Sequence, residues 1–173
     1  MDVFEAIEGR RSVRSFKPDQ IDEKDLEKIL DAGRLSPSAG NCQPWEFVVI
    51  RDKTSKQKLV LAALGQSFVA EAPVVVVVCA NIHRSSNRYG RRGAELYCIQ
   101  DTAAAIQNML LAAYALGYGT CWVGAFDEEA VARAIKAPPS IRPVGIIPIG
   151  KPAEKPRATP RLPLSKIVRE NQF

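Results

Sequence analysis

Residues able to do chemistry are few in this chain, and their densest gathering is Arg10-Arg11-Ser12-Val13-Arg14-Ser15-Phe16-Lys17. Three arginines and a lysine fall within eight positions, interleaved with two hydroxyls and two apolar residues. Guanidinium forks match phosphate oxygens, and serine hydroxyls add neutral donors. A phosphate monoester carries about −1.5 to −2 charges near neutrality, enough to answer two or three of these cations. A solvated basic corner would have the same composition. Val13 and Phe16 argue against that, because they alternate with the basic positions and tie the segment to a core. The run reads as an anion site.

Three further stretches carry polar groups in unusual company. Ser36-Pro37-Ser38-Ala39-Gly40-Asn41-Cys42-Gln43-Pro44-Trp45 is dense in turn formers and small polar side chains. It is either a plain connector or a surface for a flat, heteroatom-rich ring, with Ala39 and Gly40 allowing close backbone approach and Trp45 as its anchor. Cys121-Trp122-Val123-Gly124-Ala125-Phe126 is either an aromatic strand end packed in the core or an exit that presents the Gly124 N–H bare. Arg161, between Pro160 and the Leu162-Pro163 pair, is either solvated or pre-organised for an anion.

The better-known signatures fail. Gly145-x-x-x-x-Gly150-Lys151 has the outline of a phosphate loop, but Pro152 stands where Ser or Thr must hold magnesium. Gly117-x-Gly119 follows a helical pattern rather than a strand and lacks the remaining glycines of a dinucleotide fingerprint. There is no Gly-x-Ser-x-Gly elbow, no carboxylate pair, and a single histidine, His83, in a basic stretch. Four separated cysteines without a Cys-x-x-Cys pair read as reduced thiols. Chemistry in such a chain must come from a bound cofactor.

The elements that would position these groups follow from periodicity. A helical pattern (Val3, Phe4, Ile7) precedes the basic run. Asp22 caps a helix through Leu26, Ile29 and Leu30, ended by Gly33 and Pro37. Glu46–Ile50 is a strand, Thr54–Leu64 a helix, and Pro73–Ala80 a strand apolar on both faces, hence central in its sheet. His83–Gly93, basic and without an acid, reads as a mobile surface loop. Ala94–Leu116 is the longest helix, with two apolar stripes (Leu96, Ile99, Ala103, Ile106, Leu110, Ala113 and Cys98, Thr102, Ala105, Met109, Ala112, Leu116). A helix this apolar all round implies a subunit interface. Thr120–Val123 is a strand, Asp127 caps a short helix, Val144–Ile149 is a strand, and 151–173 is an extended arm without a core of its own.

At 173 residues, 46% hydrophobic and 25% charged, the chain suits one globular domain, and its mixed helices and strands leave the class as α+β or α/β. No apolar run approaches a membrane span and the amino terminus lacks a secretion signal, so a cytoplasmic location is expected. Net charge +5 permits nucleic-acid binding, but no aromatic-interleaved basic face or recognition helix supports it.

The four stretches, in this order, together with the Ala72-Pro73 strand, the long helix and Gly150-Lys151-Pro152, resemble the FMN-dependent nitroreductase family over nearly the whole chain. The resemblance implies a mixed, mainly antiparallel sheet flanked by helices, in an intertwined homodimer with two sites at its interface. By it, Arg10, Ser12 and Arg14 reach the FMN phosphate, ribityl chain and pyrimidine edge, Arg11 is a neighbouring backbone contact, and Arg161 is a phosphate contact. Pro37, Ser38, Ala39 and Asn41 touch the flavin from the other subunit, and Val123 and Gly124 lie near its reactive nitrogen. Gln66 matches a ribityl contact of some relatives. Many members carry a lysine where this chain has Thr159, a loss that Arg157 could offset.

The implied activity is hydride transfer from NADH or NADPH through FMN to a small electron-poor acceptor, a nitroaromatic or quinone, with no catalytic side chain and no metal. A cation about 4 Å from the anionic reduced ring would contribute roughly 4 kcal/mol before desolvation; Arg10 or Arg14 is placed for it. Reductive dehalogenation and flavin cleavage are alternatives on the same fold, and both need a lid, for which 83–93 is the only segment. A basic nucleic-acid-binding protein is the alternative from another class.

Overall fold

The computed structural model describes all 173 residues. The first helix, α1 (Val3–Gly9), is opened by a reciprocal capping box between Asp2 and Glu5. The basic run then leaves it as extended chain. Val13 N–H donates to the Thr120 carbonyl, Lys17 N–H to the Lys151 carbonyl, and Ala153 N–H to the Ser15 carbonyl. Val13 and Phe16 are buried with Ala72 in a small cluster, as their alternation with the cations requires.

Helix α2 (Glu23–Arg34) is capped by Asp22 and buries Leu26, Ile29 and Gly33. After the turn at 36–44 come β1 (Trp45–Ile50), α3 (Lys53–Ala62, capped by Asp52), the short α4 (Phe68–Glu71) and β2 (Val74–Asn81). Then follow α5 (Ile82–Arg92), a wide five-residue turn at Gly93–Tyr97, and α6 (Cys98–Ala115). The chain closes with β3 (Gly119–Thr120), α7 (Glu128–Ile135), β4 (Ile141–Gly150) and α8 (Leu164–Ile167).

The sheet order is β1-β2-β4-β3, antiparallel at every pairing, so the class is α+β. The expected parallel component is reduced to one isolated bridge, Ser12 with Thr120. Alternation along β2 divides the core. Val74, Val76 and Val78 face α2 and α6 with Ile106, Met109 and Leu110, while Val75, Val77 and Cys79 face α3 and α7 with Leu59, Val69 and Val131. A strand buried on both faces must be apolar throughout, which is what the sequence displays.

Three expectations are corrected. The segment 83–93 is helix, broken at Gly90 (φ 54°, ψ −138°), rather than loop, and is capped by Asn81, whose side chain accepts the Arg84 N–H. The helix expected over 94–116 begins only at Cys98, because Gly93–Tyr97 is wound wider. The strand expected over 120–123 stops at Thr120, leaving Val123 in a single bridge to Ile146. No helix is long and apolar enough to cross a membrane.

Candidate cofactor site

The extended course of residues 10–17 turns the arginines of the basic run toward the carboxyl-terminal arm. Arg10, Arg11, Ser12 and Arg14 line one cleft of about 210 Å³ with Pro156, Arg157, Thr159 and Arg161. Five guanidiniums converge there, and no carboxylate lines the cleft. Arg10 records the cost. Burial, and then the charges of Arg11 and Arg161, hold its pKa below that of an ordinary arginine. It stays cationic nonetheless, because arginine starts so far above neutrality. Arg10 and Arg11 are half-buried and Arg14, Arg157 and Arg161 exposed, a cluster of like charges suited to a multivalent anion.

The cleft residues differ in freedom. Arg11 is tied to the Glu8 and Arg10 carbonyls and Arg161 to Thr159 and Pro160, so each is held locally. Arg14 lies over the Phe68 ring at 6.0 Å, and its backbone N–H donates to Glu154. Ser12 lies against the Cys121 thiol, whose pKa is raised by burial and lowered in part by Arg14, Ser12 and Arg10. Cys121 thus lies behind Ser12, within reach of the Arg10 and Arg14 charges.

From Cys121 the chain runs directly to Val123 and Gly124. Val123 exchanges two backbone hydrogen bonds with Ile146, at 2.9 and 3.0 Å, and is buried. Gly124 is exposed, a Cβ on it would meet nothing within 4 Å, and its N–H is engaged by no group of the protomer. Gln66 does not point at the cleft. Its Nε2 donates to the Ala63 and Ala125 carbonyls and so braces the 123–126 segment from behind. Cys121 and Val123 are buried in the core and Phe126 packs against it, while Trp122, 38% exposed, and Gly124 reach the surface, so both readings of this stretch hold in part.

Pro37, Ser38, Ala39 and Asn41 lie elsewhere. Their turn is fastened to the amino-terminal part of α6, where Asp101 Oδ1 accepts the Ala39 N–H at 3.1 Å. The basic cleft sits at the other end of α6, where Gly9 packs on Tyr114. Tyr114 stands thirteen steps along the helix from Asp101, about 20 Å at 1.5 Å per residue. Within one protomer the two halves of the expected site do not meet.

Arg84 and Arg88 of α5 are held against this same turn. Arg84 Nη1 donates to the Gln43 carbonyl at 2.8 Å and its Nη2 pairs with Glu46, while Arg88 Nη1 donates to the Gly40 carbonyl at 2.8 Å. These arginines are engaged by the protein itself and leave no open anion site on α5. No group of His, Cys, Asp and Glu could hold a metal ion.

This architecture has close relatives of known name. The Nitroreductase family model matches residues 7–67 and 57–151. An NADH dehydrogenase of Thermus thermophilus is 35% identical over 196 residues, covering 97% of this chain and 95% of its own. An oxygen-insensitive NADPH nitroreductase of Salmonella typhimurium is 32% identical, with 99% of this chain and 74% of the relative covered. Nitroreductase A of Vibrio parahaemolyticus superposes with a TM-score of 0.92 at 28% identity, over all of this chain and 77% of that one. The NADPH:FMN oxidoreductase of Vibrio harveyi, solved with NAD+, superposes with a TM-score of 0.91 at 26% identity, covering 99% and 77%. With its antiparallel sheet between two helical layers and its basic run laced to the arm, the chain belongs to the nitroreductase family.

Proposed function

We propose that this chain is an FMN-dependent oxidoreductase that passes hydride from NADH or NADPH to an electron-poor acceptor such as a nitroaromatic or quinone. The observation that carries the reading is the cleft of five guanidiniums without a lining carboxylate, in a chain whose relatives include enzymes named for FMN and NAD(P)H. When bound, FMN supplies the redox chemistry, taking up hydride and giving it to the acceptor. The protein supplies everything around it.

Arg10, Arg157 and Arg161 hold the phosphate, with Arg11 adding charge from its tethered position and Ser12 a hydroxyl donor. Arg14, exposed at the cleft, would stand toward the ring. Val123 fixes the strand exit and Gly124 offers an unencumbered N–H, with Gln66 steadying that segment rather than touching the cofactor. The turn containing Pro37, Ser38, Ala39 and Asn41 serves the site of a second subunit and excludes water from it. We read residues 1–173 as a single cofactor-binding domain with 151–173 as its arm.

A homodimer follows from that division, and exposed apolar surface supports it. Val3, Phe4 and Ile7 of α1, the apolar positions of the helical pattern, are all exposed, as are Leu162, Leu164, Ile167 and Val168 of the arm. Large exposed apolar patches of this kind mark association surfaces. The outer edge of β1 is also unpaired within the protomer.

Protein made with ample riboflavin is expected to purify yellow and to bleach anaerobically on adding NADH or NADPH. Colourless protein that takes up no added FMN would end the reading.

A further inference from the structure

Asp101 is the one carboxylate sunk into the apolar body of α6. It is 8% exposed, Oδ1 accepts the Ala39 N–H at 3.1 Å, and the buried Oδ2 has no partner. No ion pair relieves it, and a solitary buried carboxylate is costly to keep. The turn it holds is itself strained. Gly40, Asn41 and Gln43 have φ of 52°, 55° and 50°, and two of these residues are not glycine. Such conformations persist only where the surroundings over-determine them.

Here the surroundings act from two sides. Below, Asp101 takes the Ala39 N–H, and seven residues further along α6 Asn108 donates to the Ser36 hydroxyl at 2.8 Å and to the Ala32 carbonyl. Seven residues are about two helical turns, so both polar groups stand on one face of α6. Above, Arg88 and Arg84 draw the Gly40 and Gln43 carbonyls the other way. The Tyr89 hydroxyl closes over Gly40 so tightly that a Cβ there would collide with it. One amide of the turn, at Ala39, faces the carboxylate, and two of its carbonyls, at Gly40 and Gln43, face guanidiniums.

We infer that Asp101 is a positioning residue: it sets the shape of the 38–41 turn by gripping the Ala39 N–H, and so sets how that turn meets the cofactor of the facing subunit. The second half of this inference rests on the FMN reading above; the first half does not.

The test uses the purified full chain, FMN-free and FMN-loaded, with Asp101→Leu, which removes the acceptor, and Asp101→Asn, which keeps one. Amide hydrogen exchange across 36–45 is expected to quicken about tenfold in Asp101→Leu, as for one lost charge-assisted hydrogen bond, while exchange in 74–81 stays unchanged. The FMN dissociation constant rises by a similar factor, and Asp101→Asn restores both. If Asp101→Leu does not fold, Asp101→Ala replaces it with the same expectation. Wild-type exchange in the Leu or Ala variant, or an Asn variant as loose as Leu, overturns the proposal. Wild-type protein that binds no FMN defeats the cofactor reading and with it the second half, and exchange still decides the first.

Discussion

Arg10 and Asp101 are both charges drawn partly out of water, and the protein treats them oppositely. Arg10 keeps its charge among other cations, so its cost is relieved only by a ligand. Replacing it with Ala is expected to weaken FMN binding about 10- to 100-fold, the worth of one or two hydrogen bonds to a charged group; flavin fluorescence titration measures this. Asp101 has its pKa raised, by burial first and against the pull of the Ala39 N–H. The Cys98 thiol, one turn back on α6, is the titratable group that shares its surroundings. A carboxyl with a raised folded-state pKa binds protons more tightly folded than unfolded, so it costs stability as pH climbs from about 4 through the folded value. Asp101→Asn removes that cost and keeps the acceptor. Its thermal midpoint is expected to exceed the parent's at pH 7 and to match it below about pH 4. The thiols offer a third check. Burial, then Glu46, pushes Cys79 up to about 12, and Cys98 and Cys121 are also raised and buried. Only Cys42 is less than buried, so native protein should react with no more than one equivalent of thiol reagent and denatured protein with four.

Among the elements, β2 and α6 were written plainly in the residues and α5 was not. An all-apolar run of strand length can only be a strand covered on both faces, and the 3.6 period of α6 survives its width. The segment 83–93 has no apolar stripe, and with no acid among so many arginines it reads as solvated chain. It is helical because Asn81 caps it and because its arginines find carbonyls and Glu46 on the 40–46 stretch, partners that lie some forty positions away. Close approach between elements has its own signature at Gly119, where a Cβ would meet the Val13 side chain at 2.9 Å. Gly119→Ala is therefore expected to destabilise the fold by about 1–3 kcal/mol, seen as a lowered urea midpoint without a changed slope.

For the whole molecule, the decisive quantity is the distance between the two halves of the site. The basic cleft and the 37–41 turn lie at opposite ends of α6, and under the proposed function a second copy brings them together. The exposed side of α1, the coreless arm and the half-exposed Leu96, Ile99 and Ala103 of the helical region give that copy its surface. Deleting residues 162–173 is expected to shift the chain from dimer to monomer in light scattering and to weaken FMN binding in parallel. A truncated protein that stays dimeric and yellow would separate the arm from both roles.

The sequence by itself determined the mixture of helices and strands, the central strand, the basic run and the family, because each is encoded in neighbouring residues through period, propensity or charge density. Only the tertiary structure decided that Gln66 bonds the Ala63 and Ala125 carbonyls, that Cys121 lies against Ser12, and that Asp101 accepts the Ala39 N–H. Those roles depend on hydrogen bonds such as that between Ala39 and Asp101, 62 positions apart. No local pattern specifies such a partner; it is chosen when helices and sheet pack and leave each buried donor few acceptors within reach.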